Sequence, residues 1–526
     1  MAGDGPKKAA EETWQAEIDE LRHREDLGRA MGGPEKLARQ ISNNRLNVRE
    51  RIDALIDPGS FDEVGVLAGR ADYDDDGEMT GFLPANYVLG RARINGRPVV
   101  VGGDDFTVRG GAMDASIRAK NEQAEAMANQ LRIPIVRLIE GTGGGGSVKT
   151  IETIGRTYIP ANPAWDMVAA NMGTVPVVSL GLGPVAGLGA ARMAASHYSV
   201  LVEGVSQMFV AGPPVVKHVG QDLTKEELGG AKIHAKNGAV DDMVESEDEA
   251  FAAARRFLSY LPDSIDELAD RVPTDDPPDR AEDWLIGAIP KDRRKVYKIR
   301  PIIEAVMDNG SFFEIGRLWG RSVVTGLARL DGWPVAVLAS DTYHYGGAFT
   351  ADASQKVMRM VDLAETFHLP VVFLADIPGF LVGLDAEKSG VIRQGVRAMS
   401  AIHQSTVPWC SMVLRKAFGV AGGAQLGPAE YRYRYAWPSG DWGSLPVEGG
   451  IEAAYKADLA ASEDPEALRR DIEERLNRVR SPFRSAETYG IEDIIDPRET
   501  RAKLTNFANL TAKLRKPGRA NFWMRP

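Results

Sequence analysis

The sequence predicts an α/β protein built from two tandem copies of one domain, each a set of βαβ units around a buried parallel sheet. Three observations predict it. Segments of the first half recur in the same order in the second half, at a nearly constant spacing. Within each copy, short apolar runs bounded by Gly or Pro alternate with stretches of helical apolar spacing, the pattern of strands joined by right-handed helical crossovers. A chain of 526 residues is also too long for one ordinary core.

The elements follow in chain order. The first 46 residues read as a charged, amphipathic helical arm, and residues 47–262 as the first domain. "PGSFDEVG" at Pro58 matches "NGSFFEIG" at Asn309. "NGRPVVVGGDD" from Asn95 matches "DGWPVAVLASD" from Asp331, and each is a short β-rich run. "DASIRAKNEQAEAMANQ" has helical apolar spacing and good helix formers. "IPIVRLIEG" and "LPVVFLADI" are Pro-started apolar strands. Gly110 pairs with Gly346, Pro134 with Pro370 and Glu140 with Asp376, each 236 residues apart. "TVPVVSLGLGPVAGLGAARM" at Thr174 matches "TVPWCSMVLRKAFGVAGGAQ" at Thr406, now 232 apart, so a small loop difference intervenes. "NGAVDDMVE" at Asn237 faintly matches "YGIEDIIDP" at Tyr489. A period this long marks a duplicated domain and excludes a solenoid. Residues 263–294, rich in Pro and charge, read as a linker with a short helix inside, and 295–526 as the second domain. "EDPEALRRDIEERLNRVRSPFRSAE" reads as a late, solvated helix.

Composition narrows the function. The single cysteine, Cys410, excludes a disulfide framework and a cysteine-based zinc site, and its apolar run predicts a buried, inert thiol. A net charge of −11 argues against general nucleic-acid binding and leaves room for a local basic pocket. "MAGDGPKKAAEETWQAEIDELRHRED" has no apolar signal core and too many acids for a transit peptide, so a cytoplasmic location is expected. The uncharged stretch from Met172 to Ala191 is loaded with Gly and Pro, and its second copy carries Arg415 and Lys416, which excludes a membrane span.

"GTGGGGSVKT" at Gly141 fits G-x-G-x-x-G and approaches a phosphate loop, but Val148 stands where the second Gly must be and would block the amide cradle. Its backbone, with Gly143 and Gly144 as candidate substrate-binding residues, suits some other anionic group. None of the seven histidines has a metal spacing, and none accompanies a G-x-S-x-G elbow. His368 and His403 are expected near helix ends, and His234 in a structural role. "DYDDDGE" at Asp72 lacks the remaining calcium ligands and reads as a solvated acidic turn. No metal site and no acid–base dyad stands in the duplicated positions.

What the copies share is backbone. Gly187-Leu188-Gly189 pairs with Gly419-Val420-Ala421, each where a strand ends and a helix starts. Free amides point outward there, the helix dipole adds positive potential, and small residues admit an oxygen. That is oxyanion-hole geometry, and two holes fit a reaction in which two carbonyl oxygens take on charge. The same small residues also suit tight helix–sheet packing.

From about Asn47 to Lys516 the sequence resembles the β subunit, or carboxyltransferase component, of biotin-dependent acyl-CoA carboxylases of the propionyl-CoA and methylcrotonyl-CoA type. The resemblance rests on "DDFTVRGGAM", "SQMFVAGPPVVKHVGQDLTKEELGGAKIHAKNGAVD", "FLSYLP", "LADIPGFLVG", "GVIRQGVRAM" and "STVPWCSMVLRKAFGVAGGA". It implies two crotonase-like (ClpP/crotonase) domains forming a βαβ superhelix. It implies transfer of CO2 from carboxybiotin on a separate biotin-carrying α subunit to the α-carbon, or vinylogous γ-carbon, of an acyl-CoA. On that resemblance Gly187 and Leu188 hold the thioester enolate oxygen, and Val420 and Ala421 the biotin ureido oxygen. Gly189, Gly419, Gly422 and Gly423 line the substrate. No side-chain base and no metal is implied. The family assembles as a β hexamer, within an α6β6-type complex that also holds the biotin carboxylase and biotin carboxyl carrier. Gly423 stands where short-chain members carry Asp, and the usual S-G-G-A-R-I-Q-E-G loop is replaced. The rival readings are the matching subunit of a biotin-dependent acyl-CoA decarboxylase and a non-catalytic scaffold of a carboxylase complex.

Overall fold

A computed structural model describes residues 13–43, 45–112, 117–141, 151–152, 154–159, 162, 164–428 and 433–526. The chain divides into two compact units. Unit 1 comprises Met1–Asn171, Val177–Ala231 and Met243–Arg255, and unit 2 comprises Met172–Pro176, Lys232–Asp242 and Arg256–Pro526.

In unit 1, helix α1 (Val48–Leu55) is started by a capping box, with Asn47 accepting from the Arg49 and Glu50 amides. Hairpin strands β1 (Tyr87–Ile94) and β2 (Arg97–Asp104) precede helix α2 (Arg118–Leu131). Strand β3 (Ile135–Gly141), strand β4 (Val177–Ala186), helix α3 (Leu188–Ala194) and strand β5 (Tyr198–Val202) follow. The sheet runs Asp62–Glu63, β1, β2, β3, β4, β5, with Gln207–Phe209 beside β4. β1 and β2 are antiparallel, whereas β2 through β5 are parallel. Parallel strands are covered on both faces, and β3 has six consecutive buried residues as that demands.

Unit 2 repeats the plan. Helix α4 (Ile299–Val306) leads to β6 (Val323–Leu330), β7 (Trp333–Ser340), helix α5 (Ala351–Thr366), β8 (Val371–Ile377), β9 (Trp409–Phe418), helix α6 (Gly419–Ala424) and β10 (Tyr433–Ala436). The registers agree residue for residue. Val100 pairs with Ile135 and Ile135 with Val177 in unit 1; Ala336 pairs with Val371 and Val371 with Trp409 in unit 2. Each sheet slips register at the same place, between Ile139 and Gly141 and between Ala375 and Ile377. Each hairpin turn is held by one carboxylate taking two amides. Asp57 accepts from Asn95 and Gly96 at 2.8 and 2.7 Å, and Asp308 from Asp331 and Gly332 at 2.9 and 2.7 Å.

A buried carboxylate closes the third strand of each sheet. Asp376 accepts from Arg415 Nε at 2.9 Å, the Tyr297 hydroxyl at 3.0 Å and the Lys416 amide at 3.1 Å. Its counterpart Glu140 pairs with Arg51 Nη1 at 2.5 Å and Arg45 Nη1 at 3.1 Å. The position matching Arg415 is Gly183, where a Cβ would lie 2.2 Å from Glu140 Oε1 and 2.7 Å from Arg45 Nη2. Unit 1 thus draws its cations from α1 and the chain before it, and the glycine makes room for them.

The remaining expectations fall into place around the two sheets. Cys410 is buried in the unit 2 core among Leu374, Met412 and Phe507, and burial pushes its thiol pKa up. His368 follows α5 at φ 58°, its Nε2 within 3.0 Å of the Gly518 carbonyl oxygen. His403 lies in the last turn of its helix, Val391–Gln404. Asp74 caps its own exposed turn, accepting from the Asp76 and Glu78 amides. Residues 263–294 pack along unit 2, where Val272 donates to the Gly332 carbonyl and Arg280 to the Met307 carbonyl; the short helix inside is a 3-10 turn, Asp283–Gly287. The helix Pro465–Val479 buries only Ile472. No described helix is long and apolar enough to cross a membrane.

Lys120 and Lys356 occupy matching places on α2 and α5. Burial pushes each ammonium down to about 8, and Lys356 donates to the Val323 carbonyl at 2.8 Å. Between pH 8 and the ordinary lysine value the unfolded chain binds more protons, so this term makes stability rise with pH. Replacing Lys356 by Met removes roughly 2 kcal/mol of that rise between pH 8 and pH 10. Denaturant unfolding of both proteins at the two pH values checks it.

Candidate active site

Strands β4 and β9 both end in a glycine at φ 62°, Gly187 and Gly419, followed by a short helix. Gly187 has ψ −120°, a combination open in practice only to glycine. The Gly187 amide donates to the Phe209 carbonyl at 3.2 Å, which joins the turn to the strand beside β4. Gly187 is therefore not a free donor as expected; its part is to turn the chain. Among the described residues, nothing accepts from the amides of Leu188, Gly189, Val420 or Ala421. Leu188 and Gly189 match Val420 and Ala421 at the 232-residue spacing, so equivalent amides are uncommitted in both copies.

In unit 1, Leu188 and Gly189 open onto a cavity of about 80 Å³, with Ile139, Trp165 and Val168 on its apolar side. Its polar side carries Asp104, Asn121, Glu122, Glu125 and Arg192. Three carboxylates thus share the lining of this cavity with Leu188 and Gly189. Burial pushes the Asp104 carboxyl up to about 6, with one oxygen accepting from the Glu140 amide at 3.2 Å. Burial alone would push Glu125 up too, but Arg137 at 2.8 Å and Asn171 hold its carboxyl below the usual range.

Across the turn Arg109–Gly111 from this cavity lies a groove of about 460 Å³, reached by Gly110 and Pro184 as the cavity is by Gly111 and Ala186. Lys36, Arg39, Arg45 and Lys225 line it, and no acid does. Lys36, Arg39 and Lys225 pair with no described acid. This is the local basic pocket that the overall negative charge left room for.

In unit 2, a cavity of about 240 Å³ adjoins the second turn, walled by Val413, Leu426, Trp442 and Ile491 and reached by Gly419, Gly422 and Gly423. A Cβ on Gly423 would meet nothing within 4 Å. Val420 is 63% exposed, whereas Ala421 is buried. Arg434, the charged residue of the lining, is held by Glu492 through two bonds of 2.8 Å. Gly143 and Gly144 lie outside the described residues. Among the described residues no cluster of three His, Cys, Asp or Glu is placed to hold a metal ion.

The model of the carboxyl transferase domain family matches residues 39–522. The chain belongs to that family. It is 31% identical over 501 residues to the propionyl-CoA carboxylase, carboxyltransferase subunit, of Haloferax mediterranei, covering 94% of this chain and 95% of that one. It is 32% identical over 515 residues to the methylmalonyl-CoA carboxyltransferase 12S subunit of Propionibacterium freudenreichii subsp. shermanii, covering 96% and 95%. The crystal structure of the transcarboxylase 12S hexamer with methylmalonyl-coenzyme A bound superposes with a TM-score of 0.85 at 30% identity, over 96% of this chain and 97% of that one. The two units are tandem crotonase-like α/β domains, and the chain is a carboxyltransferase.

Asp104, Asn121, Arg192 and the cations of the groove line these cavities without being residues that the copies share. The signal lay in where they differ: unit 2 has Ser340, Val357 and Ala424 in place of Asp104, Asn121 and Arg192.

The two kinds of glycine at these turns separate by stability. Gly187→Ala forces a side chain into a glycine-only conformation and costs about 1–3 kcal/mol. Gly423→Ala, with open space around the new methyl, stays within about 0.5 kcal/mol of the parent. Denaturant unfolding of both variants checks the contrast.

Proposed function

We propose that this chain is the carboxyltransferase subunit of a biotin-dependent acyl-CoA carboxylase, moving CO2 from carboxybiotin on a separate subunit to the α-carbon of an acyl-CoA. The observation that carries it is the order of features along unit 1: basic groove, glycine turn, uncommitted amides, small cavity. An acyl-CoA has the same order, from phosphates through pantetheine and thioester to acyl chain. Lys36, Arg39 and Lys225 meet the phosphates, at the end of the molecule where charge is densest. The Leu188 and Gly189 amides meet the thioester oxygen.

When the α-proton leaves, negative charge moves onto that oxygen. Fixed amide donors bind the charged form better than the carbonyl, each worth roughly 3 kcal/mol in the transition state. Ile139, Trp165 and Val168 give the cavity an apolar side beside the donors, which strengthens their interaction with the charge. In unit 2 the uncommitted amides of Val420 and Ala421, beside an apolar recess, fit a flat ureido ring with one carbonyl oxygen. Bound carboxybiotin supplies the carboxyl group and, once it is given up, a basic ring nitrogen. Trp442, Leu426 and Ile491 provide the apolar wall against which such a ring packs.

The resemblance to the 12S subunit, whose structure is described as a hexamer, supports a homo-hexamer. The expected partner is an α subunit that carries biotin carboxylase and biotin carrier. The expected setting is the cytoplasm.

The test runs the reaction in reverse. The purified full chain is given an α-carboxyacyl-CoA labelled in its carboxyl group, together with free biotin. Label should appear in biotin only when chain, CoA ester and biotin are all present. A folded chain that transfers no label, or that releases it at the same rate without biotin, contradicts the reading.

A further inference from the structure

The polar side of the unit 1 cavity exceeds what the fold requires. Glu140 and Asp376 are equivalent, and each has its backbone amide held by the residue ending the second long strand. Ser340 Oγ takes the Asp376 amide at 3.0 Å, and Asp104 Oδ2 takes the Glu140 amide at 3.2 Å. A hydroxyl is therefore enough for that bond, and the second oxygen of Asp104 is surplus to it. The carboxylate is also attracted by the Arg192 guanidinium, with no hydrogen bond between the two side chains among the described residues.

Two neighbours share this condition. The Oδ1 atom of Asn121 is buried without a hydrogen-bond partner. Arg192, 8% exposed, offers five N–H donors, yet among the described residues its side chain makes one long hydrogen bond, to the Tyr87 hydroxyl at 3.5 Å, beside Glu125 at 3.8 Å and the charge of Asp104. All three line the cavity in front of the Leu188 and Gly189 amides. Buried polar groups are almost always paired, so three with spare capacity around one cavity mark the place of a polar ligand group. Unit 2 has Ser, Val and Ala at these positions, so the duplication did not supply them. At a pKa raised to about 6, Asp104 accepts a hydrogen bond at neutral pH and can donate one in slightly acidic solution.

The cavity has room for the first atoms of an acyl chain: about 80 Å³ admits several water-sized groups. Counted from a thioester carbon at the amides, the first three are the α-carbon, the β-carbon and one more atom.

We propose that the unit 1 cavity selects a short acyl chain bearing a hydroxyl on its third carbon, through Asp104, Asn121 and Arg192. The proposal rests on the acyl-CoA reading given above. A methyl in the hydroxyl's place would leave the three groups without that hydrogen-bonding partner.

The test is a matched pair, 3-hydroxypropionyl-CoA and butyryl-CoA, which differ by hydroxyl against methyl at one position. Equilibrium binding of each to the full chain is measured by calorimetry, beside coenzyme A itself. The hydroxy compound should bind about tenfold tighter. The double variant Asp104→Ser/Asn121→Val carries the residues that unit 2 already folds with, and should narrow the preference to about twofold or less. Equal binding of the pair, tighter binding of butyryl-CoA, or a preference that survives the double variant overturns the proposal and leaves the carboxyltransferase reading standing. If neither ester nor coenzyme A binds, the acyl-CoA reading of unit 1 fails, and the proposal with it.

Discussion

One constraint is met twice in this chain: a buried carboxylate at the end of the third core strand must be matched by a cation. Glu140 and Asp376 sit where β3 and β8 leave their sheets, next to the strands that carry the two glycine turns. A carboxylate so placed costs several kcal/mol in desolvation, recovered only with close and well-directed partners. Those partners fix the neighbouring strand. Arg51 also donates to the Leu182 carbonyl at 2.7 Å, within the strand that leads to Gly187. Arg415 and Lys416 belong to the strand that leads to Gly419, and both bind Asp376. These bonds tie the strand that carries each turn to the carboxylate of its neighbour.

The two copies solve the same problem differently, and the difference opens room for specialisation. In unit 2 the cation stands on the strand itself; in unit 1 it comes from α1 and the segment before it, with Gly183 clearing the space. Each unit then keeps its uncommitted amides and changes their surroundings. Unit 1 gains a charged, hydrogen-bonding cavity and a basic groove, whereas unit 2 keeps an apolar recess walled by Trp442 and Ile491. A reaction that stabilises charge on two unlike carbonyl compounds needs that combination of shared backbone and unshared side chains.

Much of this was legible in the sequence. The duplication, the strand order and the position of both turns followed from matched segments, because registers and left-handed turn residues are fixed by local chemistry that survives duplication. Asn95 and Asp331, at φ 52° and 50°, are one such pair. The commitment of the Gly187 amide to Phe209 was not legible, since it depends on a strand paired across the sheet more than twenty residues later. Nor was the cavity: Asp104, Asn121 and Arg192 come from a strand and two helices that meet only in three dimensions. The cationic groove joins the N-terminal arm to Lys225, far apart in the chain. Gly143 and Gly144 lie outside the described residues.

The central claim is that backbone amides at both turns carry the charge of the reaction. It is tested most directly by removing one amide at a time where the helix tolerates the loss. Leu188 is the first residue of its helix and Val420 its equivalent, and proline is accommodated in a first helical turn, where the N–H has no helical partner. The measurement is kcat for carboxyl transfer by Leu188→Pro and Val420→Pro, each shown by circular dichroism and thermal unfolding to be folded. The account predicts that both fall by about 10²- to 10³-fold. A folded variant of either kind that keeps the parent's kcat would contradict it.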